Sequence, residues 1–511
     1  MKKSIFAALT IIMLSLSFSI LAFAADSLQE GDYTYARNSR GVTLLKYTGT
    51  AESIEVPSTL GRYPVTEIEG NAFNDHPTLQ SISIPDGIQD FPIDWYEYFI
   101  DSSLDVTTIK ISADAPWVRW DSFGYCKSLT SIIVDPGNEL YSSDENGLFY
   151  NKDKTQLIRC PRGKTGVIEL SDTVQDIGER AFSGCAEITS VGIPEGVTSI
   201  QEWAFSSCDS LTTVALPSTL KTIGWSAFRR SNGLRTITIP DGVTTLAMQT
   251  FANCENLESV ILPDGLTYIA DGLFWGCTSL TSIELPDSVE RIKPNAFEGC
   301  TALTEIQWPK NLKRINRAAF AICTGLTVVD IPDGVEEIGT SAFERCENLT
   351  EITIPDSVTL IKSYALSNCP KLTTIYGLPD TAAQEAAKEY GVNFVSLLVE
   401  VQINGNKMHF DVPPRIKYGK AMVPMRAIFE ELGAEVTWDD TTKTVTATKD
   451  DLLVTLQIDN PILTVNGENI PLDVAPYIAG SRTLVPLRAI AESLHTDVQW
   501  DEGTKTVLIT A

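Results

Sequence analysis

The chain has 511 residues, with 39 Lys plus Arg against 66 Asp plus Glu, a formal charge of −27. That charge repels phosphate backbones and anionic bilayers, which excludes nucleic-acid binding as the main work and disfavours membrane adhesion. With 43 % hydrophobic and 21 % charged residues it is composed as a folded protein, too long for one compact domain unless it grows by repetition, and its three histidines (His76, His409, His495) leave little material for metal or imidazole chemistry.

The first element is a processing signal. Lys2 and Lys3 precede an apolar run from Ile5 to Leu21, followed by Ala22-Phe23-Ala24. A charged start, an apolar core and an A-x-A site predict a signal peptide over 1–24 and an exported mature chain beginning at Ala25. No later apolar stretch reaches the roughly 18 residues of a spanning helix, so no membrane span is expected after cleavage. No C-terminal sorting motif is identifiable.

A 23-residue period runs through the middle. Phe182, Phe205, Phe228, Phe251, Phe274, Phe297, Phe320 and Phe343 keep it, as do the prolines from Pro194 to Pro355 and the cysteines from Cys254 to Cys369. Three residue classes in one register mark a solenoid. In the unit that begins at Leu349, Ile352 and Ile354 alternate with polar residues as in a short strand, and Pro355 ends it. Val358, Ile361, Ala365 and Leu366 return as an inward-facing path. Each unit is expected to give one strand to a parallel sheet and to bury its apolar edge only against its neighbours. Weaker units stand at Phe73 and Phe123. The aromatic group Trp95, Tyr96, Tyr98 and Phe99 reads as a degenerate repeat plugging the core, with a ligand patch as the alternative. The stretch from Asp135 to Lys164 breaks the period and reads as a hairpin insertion.

The repeated cysteine, replaced by His76 and Ser231 in two units, is expected to be a buried free thiol acting as a small hydrophobe, the alternative being disulfides in an exported chain. Asp144-Glu-Asn146-Gly147 slightly resembles a calcium loop but lacks the full ligand set, so a turn is favoured. The array closes with Asp380 as N-cap of a helix from Ala382 to Tyr390, Gly391 as its stop, and a strand over Val392 to Val395. The pattern L-x-x-I-x-I-P-x-x-V-x-x-I-G-x-x-A-F-x-x-C resembles the BspA-like bacterial leucine-rich repeats of surface proteins. The resemblance implies a leucine-rich repeat solenoid, a parallel sheet of 23-residue repeats with caps at both ends, over 25–398.

The tail, 399–511, is internally duplicated at an offset of 62: Val423-Pro-Met-Arg426-Ala-Ile428 returns as Val485-Pro-Leu-Arg488-Ala-Ile490, and Trp438-Asp439 as Trp500-Asp501. Each half reads as a hairpin, a helix entered after proline and a final strand pair, a small α+β domain. Arg426 and Arg488 read as helix-start salt bridges, with anion binding as the alternative. The doubled motifs resemble the copper amine oxidase N-terminal-like, or stalk, domain of exported proteins of Gram-positive bacteria. No quinone-precursor motif and no His cluster accompany it, so copper binding is not inferred.

Motifs for serine, zinc or phosphate chemistry are missing. The expectation is therefore no catalytic, cofactor-binding or metal-ligating residues, no cofactor and no enzyme activity. The plausible working surface is the outward face of the repeat sheet, with Thr238, Glu284, Glu305, Gln307, Asp330, Glu351, Thr353 and Tyr376. It suits an adhesin-like protein, secreted or at the cell surface, that binds a protein or glycan partner on a cell surface or host matrix, the tail spacing it or associating it with its own cell wall. The rival readings are a cell-wall-associated carbohydrate-active enzyme and a purely structural envelope spacer.

Overall fold

The computed structural model describes residues 27–88, 105–115, 126–479 and 481–511. The predicted signal peptide, the aromatic group Trp95, Tyr96, Tyr98 and Phe99, and Phe123 lie outside the described residues. The chain forms two compact units, one running through Val289 with Lys293–Gln307, the other comprising Glu290–Ile292 and Trp308–Ala511. Solenoid coils of parallel sheet build the first unit and the start of the second.

The first unit opens on a cap. Leu28–Glu30, Tyr33–Arg37 and Val42–Tyr47 pair antiparallel in sequence, and Val42–Tyr47 then pairs in parallel with Tyr63–Ile68. Parallel ladders follow, first Ser53–Glu55, Ser81–Ile84, Thr108–Ile111 and Ser131–Val134. The irregular stretch is a hairpin as expected: Tyr141–Ser143 and Phe149–Asn151 pair antiparallel across a turn. In that turn the Asp144 carboxylate accepts the Leu148 amide at 2.8 Å and the Tyr150 hydroxyl at 3.2 Å, so it closes a loop. Beyond it the phenylalanine rings stack without solvent access: Phe182 on Phe205 at 4.7 Å, Phe205 on Phe228 at 5.1 Å, and Phe274 on Phe297 at 5.3 Å between centroids.

The expectation of one strand per unit is corrected. From Asp176–Ile177 on, most coils make two parallel pairings, one at the strand before proline and one at a two-residue strand on the return path. In the second unit these are Val328–Asp330 against Glu351–Thr353, and Arg314–Ile315 against Glu337–Ile338 and then Leu360–Ile361. Two residues are too few to show a period of two in sequence. A third ladder runs along the phenylalanine side: the amides of Arg180, Phe182 and Gly184 donate to the carbonyls of Glu202, Ala204 and Ser206 of the next coil. All three amides aim along the solenoid axis because the residues two before and two after Phe are left-handed, with φ of 55° at Arg180 and 76° at Gly184. Glycine favours that conformation, and Gly184, Gly276 and Gly299 occupy it in three coils, while Ile322 takes it at φ 62° despite its branched side chain. Coil spacing is also tight at the glycine after the return strand: a Cβ on Gly339 would lie 2.6 Å from the Asn316 backbone.

The closing helix runs Ala382–Tyr390, and Gly391 ends it at φ 68°. Its N-cap is Thr381, not Asp380, and makes no side-chain cap bond. Asp380 is itself left-handed, one residue too early, and its amide donates to Gln384. The closing strand is Asn393–Ser396.

The tail is α+β and duplicated, as read. Its halves interlock: Lys420–Pro424 pairs antiparallel with Arg482–Pro486, matching Val423 to Val485, and Glu400–Ile403 pairs in parallel with Thr506–Thr510. Helices Met425–Glu431 and Leu487–Ser493 bury Ile428, Phe429, Ile490 and Ala491 in one shared core. Within this second unit the tail is bolted to the last coils. Arg415, its side chain 6 % exposed, holds Asp356 with two bonds of 2.6 and 3.1 Å and lies 3.9 Å from Asp333. Lys417 bonds Asp333 at 2.7 Å and stands 3.9 Å over the Tyr477 ring. Burial opposes the Arg415 charge, but the two carboxylates outweigh it and hold the guanidinium above its ordinary pKa.

Two outcomes follow from this packing. Phe274→Ala removes one ring from a closed stack and should cost roughly 3–5 kcal/mol in denaturant unfolding, with the first unit losing stability locally. Arg415→Ala leaves Asp356 without its cation and Asp333 with Lys417 alone, and should cost roughly 2–4 kcal/mol, discounted for the partial exposure of the carboxylates, with limited proteolysis newly cutting near residues 397–400.

Candidate functional site

The outward face follows from strand alternation. In Thr236–Thr238, Ser282–Glu284 and Val328–Asp330 the central residue is buried and its two neighbours are exposed. Thr238, Glu284, Glu305, Gln307 and Asp330 are exposed, whereas Glu351, Thr353 and Tyr376 are half-buried. In the first unit the register places Glu284 beside Gln307 and Glu305 beside Ser282, while Thr238 stands beside Ile261 on another ladder. In the second, Asp330, Thr353 and Tyr376 form one row and Val328, Glu351 and Thr374 the next. Burial and then the Glu351 carboxylate raise the Tyr376 hydroxyl above its usual pKa.

Each of these strands is hydrogen-bonded to a neighbour on at least one side, and its alternate side chains point outward. Several hydroxyls are spent between coils. Threonines just ahead of two of the strands donate to the carbonyl of the preceding coil: Thr304 to Thr281 at 3.2 Å in the first unit, Thr350 to Thr327 at 2.9 Å in the second. What remains outward is a row of carboxylates, an amide and hydroxyls in register on adjacent coils.

The cysteine column has a role that its apolar reading missed. The thiols of Cys208, Cys254 and Cys277 donate to the carbonyls of Phe182, Phe228 and Phe251 in the preceding coil, at 3.2, 3.0 and 3.1 Å. Each carbonyl already takes an amide from its own coil, so sulfur fills its second lone pair. Ser231 does the same toward Phe205 at 2.5 Å, and His76 reaches the Tyr47 carbonyl. A donor, then, unites the three residue types; apolarity does not. Burial pushes Cys254 up to about 12 and Cys126 and Cys369 to about 11.

The repeated tail motifs are structural. Asp439 accepts the amides of Thr441 and Thr442, and Asp501 those of Gly503 and Thr504; the Thr442 and Thr504 side chains first, and then these amides, hold both carboxyls below their usual range. Arg426 lies 4.0 Å from Glu430, one helical turn on. Among the described residues no three His, Cys, Asp or Glu side chains are grouped to hold a metal ion, and no helix is long and apolar enough to cross a membrane. One further cluster has no warning in the repeat pattern: Trp203, Trp225, Arg180 and Arg229 meet from three coils of the first unit. Two tryptophans one coil apart beside an A-F pair were its only sequence signal.

Comparison with known proteins adds the following. The BspA-type leucine-rich repeat region matches residues 43–165, 160–281 and 267–382, and the copper amine oxidase N-terminal domain matches 402–509. No curated protein matches the chain. Among solved structures, a leucine-rich cell surface protein from Faecalibacterium prausnitzii is 26 % identical, over 70 % of this chain and 97 % of that one, at a TM-score of 0.40. A leucine-rich repeat protein from Bacteroides ovatus is 24 % identical, over 72 % and 99 %, also at 0.40.

The donor role makes a prediction. Cys277→Ser should be nearly neutral, as native Ser231 shows, while Cys277→Ala should cost about 1 kcal/mol more. The folded chain binds more protons than the unfolded one wherever a thiol is held above its ordinary value of 9.0, so stability should fall as pH rises from about 9 toward 12. Thiol titration at neutral pH without reductant should be slow for the native chain and should find most of the ten cysteines once denaturant is added.

Proposed function

The chain belongs to the family of BspA-type leucine-rich repeat proteins, and from that premise we propose that it is an exported surface or extracellular binding protein whose repeat sheet engages a protein or glycan partner. The observation that carries this reading is the outward row itself: side chains in regular register, in each unit, over strands hydrogen-bonded to their neighbours. Binding needs only such a shaped face, whereas catalysis needs convergent groups with tuned proton affinity. The non-enzyme reading rests on that contrast and on the family. The tail, held to the last coils through Arg415 and Lys417, serves as the spacer or envelope-association module and keeps a fixed bearing relative to those coils.

The test uses the full exported chain on isolated cell walls, matrix proteins and glycan arrays. Making the first-unit row cationic with Glu284→Lys and Gln307→Lys should weaken binding of the partner detected by roughly tenfold or more, about 1.4 kcal/mol, since it reverses one charge of the contact row and adds another. Unchanged binding to every partner would remove the sheet face from the reading. Turnover of a wall polysaccharide by the purified chain would remove the non-enzyme reading.

A further inference from the structure

On the phenylalanine side of the first unit, away from the strands considered above, an aromatic and cationic patch stands out in a chain of net charge −27. Trp225 is 38 % exposed and meets half-buried Trp203 edge-on at 5.2 Å between ring centroids. The Arg229 guanidinium lies 5.4 Å and the Arg180 guanidinium 5.9 Å from the centre of the Trp203 ring. Trp203 thus anchors two cations and props Trp225 upright, leaving Trp225 as the free platform. The patch is built by the third ladder: Trp203 is left-handed and its amide donates to the Trp225 carbonyl, which sets the two rings on adjacent coils.

Its charges are not cancelled in the way surface charges usually are. Arg180 has Glu179 at 3.9 Å. Arg229 and Arg230 have no ion pair among the described residues, and the buried Arg229 Nε has no hydrogen-bond partner. Burial and the neighbouring Arg230 both lower the Arg229 pKa, the mark of a positive charge without a counter-ion. Beside the tryptophans runs a cavity of about 400 Å³ lined by Glu179, Ser199, Gln201, Glu202, Thr222 and Gly224. Glu202 and Gly224 directly precede Trp203 and Trp225 in the chain, so the cavity and the platform adjoin.

We propose that this patch is a binding site for an anionic polysaccharide, in which a sugar ring stacks on Trp225, its hydroxyls turn to the polar cavity, and its acidic group sits on Arg229 and Arg230. The three parts match the three faces of an acidic sugar unit: an apolar ring face for an indole, hydroxyls for carboxylates and amides, and a planar anion for guanidinium. A neutral glycan would leave Arg229 and Arg230 unmet. The overall negative charge does not forbid the contact, since fields from distant carboxylates are screened beyond about 8 Å at physiological salt. It does suppress nonspecific adhesion of polyanions, so measured binding reports the local site. The site rests on the reading of the chain as a binding protein but not on the outward sheet face.

The test is titration calorimetry of the full chain with polygalacturonate, with heparin and with neutral dextran. Binding to polygalacturonate alone identifies a carboxylate-bearing ligand and binding to heparin as well extends it to sulfated chains; either supports the site, provided dextran does not bind. Trp225→Ala, and separately Arg229→Ser with Arg230→Ser, should each weaken that binding by roughly tenfold or more, with added salt weakening the native chain and not the arginine variant. Trp225 and Arg230 are exposed and Arg229 is half-buried, so an unchanged thermal unfolding midpoint is required of each variant to verify the fold. Glu284→Lys with Gln307→Lys should leave polygalacturonate binding in place, which separates failure of the sheet face from failure of this site. No binding to either polyanion, equal binding to dextran, or binding indifferent to both sets of changes would overturn the proposal.

Discussion

Everything in the repeat region depends on one constraint: a coil of 23 residues cannot satisfy its own backbone and must exchange amide–carbonyl bonds with its neighbouring coils. Three ladders do this, at the strand before proline, at the short return strand and along the phenylalanine side. The third is the demanding one. It needs alternate residues in the left-handed region, a conformation that costs most residue types of the order of 1 kcal/mol or more and that glycine enters freely. The coils accept that cost at Arg180, Trp203 and Ile322 because a buried amide left unpaired would cost as much or more. The stacked phenylalanines and the thiol column follow from the same spacing, since adjacent coils held by ladders bring like side chains into contact.

That spacing also sorts the surface. Over the strands, side chains stand in straight rows because register carries position in one coil onto the same position in the next. On the phenylalanine side, residues from different motif positions meet. Trp203 precedes its phenylalanine by two and Trp225 by three, yet the rings touch. A row favours contact over several coils, whereas such a cluster favours a compact ligand.

The tail is joined to the coils by charge more than by apolar contact. Asp333 and Asp356 occupy the same place after proline in successive coils, so a cation of the tail meets two carboxylates one coil apart. Arg415 spans that interval with a planar fork that Lys could not reproduce. Within the tail, the duplicated halves share one core because their central strands pair at Val423 and Val485, which makes neither half a folding unit alone.

The sequence by itself determined the solenoid, its period, the hairpin insertion, the closing helix and the duplicated α+β tail. Each of these is written as a repeated apolar spacing or a doubled motif, and local spacing is what a linear pattern can display. The outward row was legible for the same reason, since alternation assigns a face to every strand residue. Tertiary structure decided the rest. Two-residue return strands are too short to show alternation, and the left-handed ladder positions keep the 23-residue interval without keeping a residue type. The shared office of Cys, Ser and His emerges only when the carbonyl one coil back is in place. The bond of Arg415 to Asp356, and the meeting of Trp203, Trp225 and Arg229, join residues whose spacing in the chain obeys no motif, because stacking in space and not order along the chain makes them neighbours.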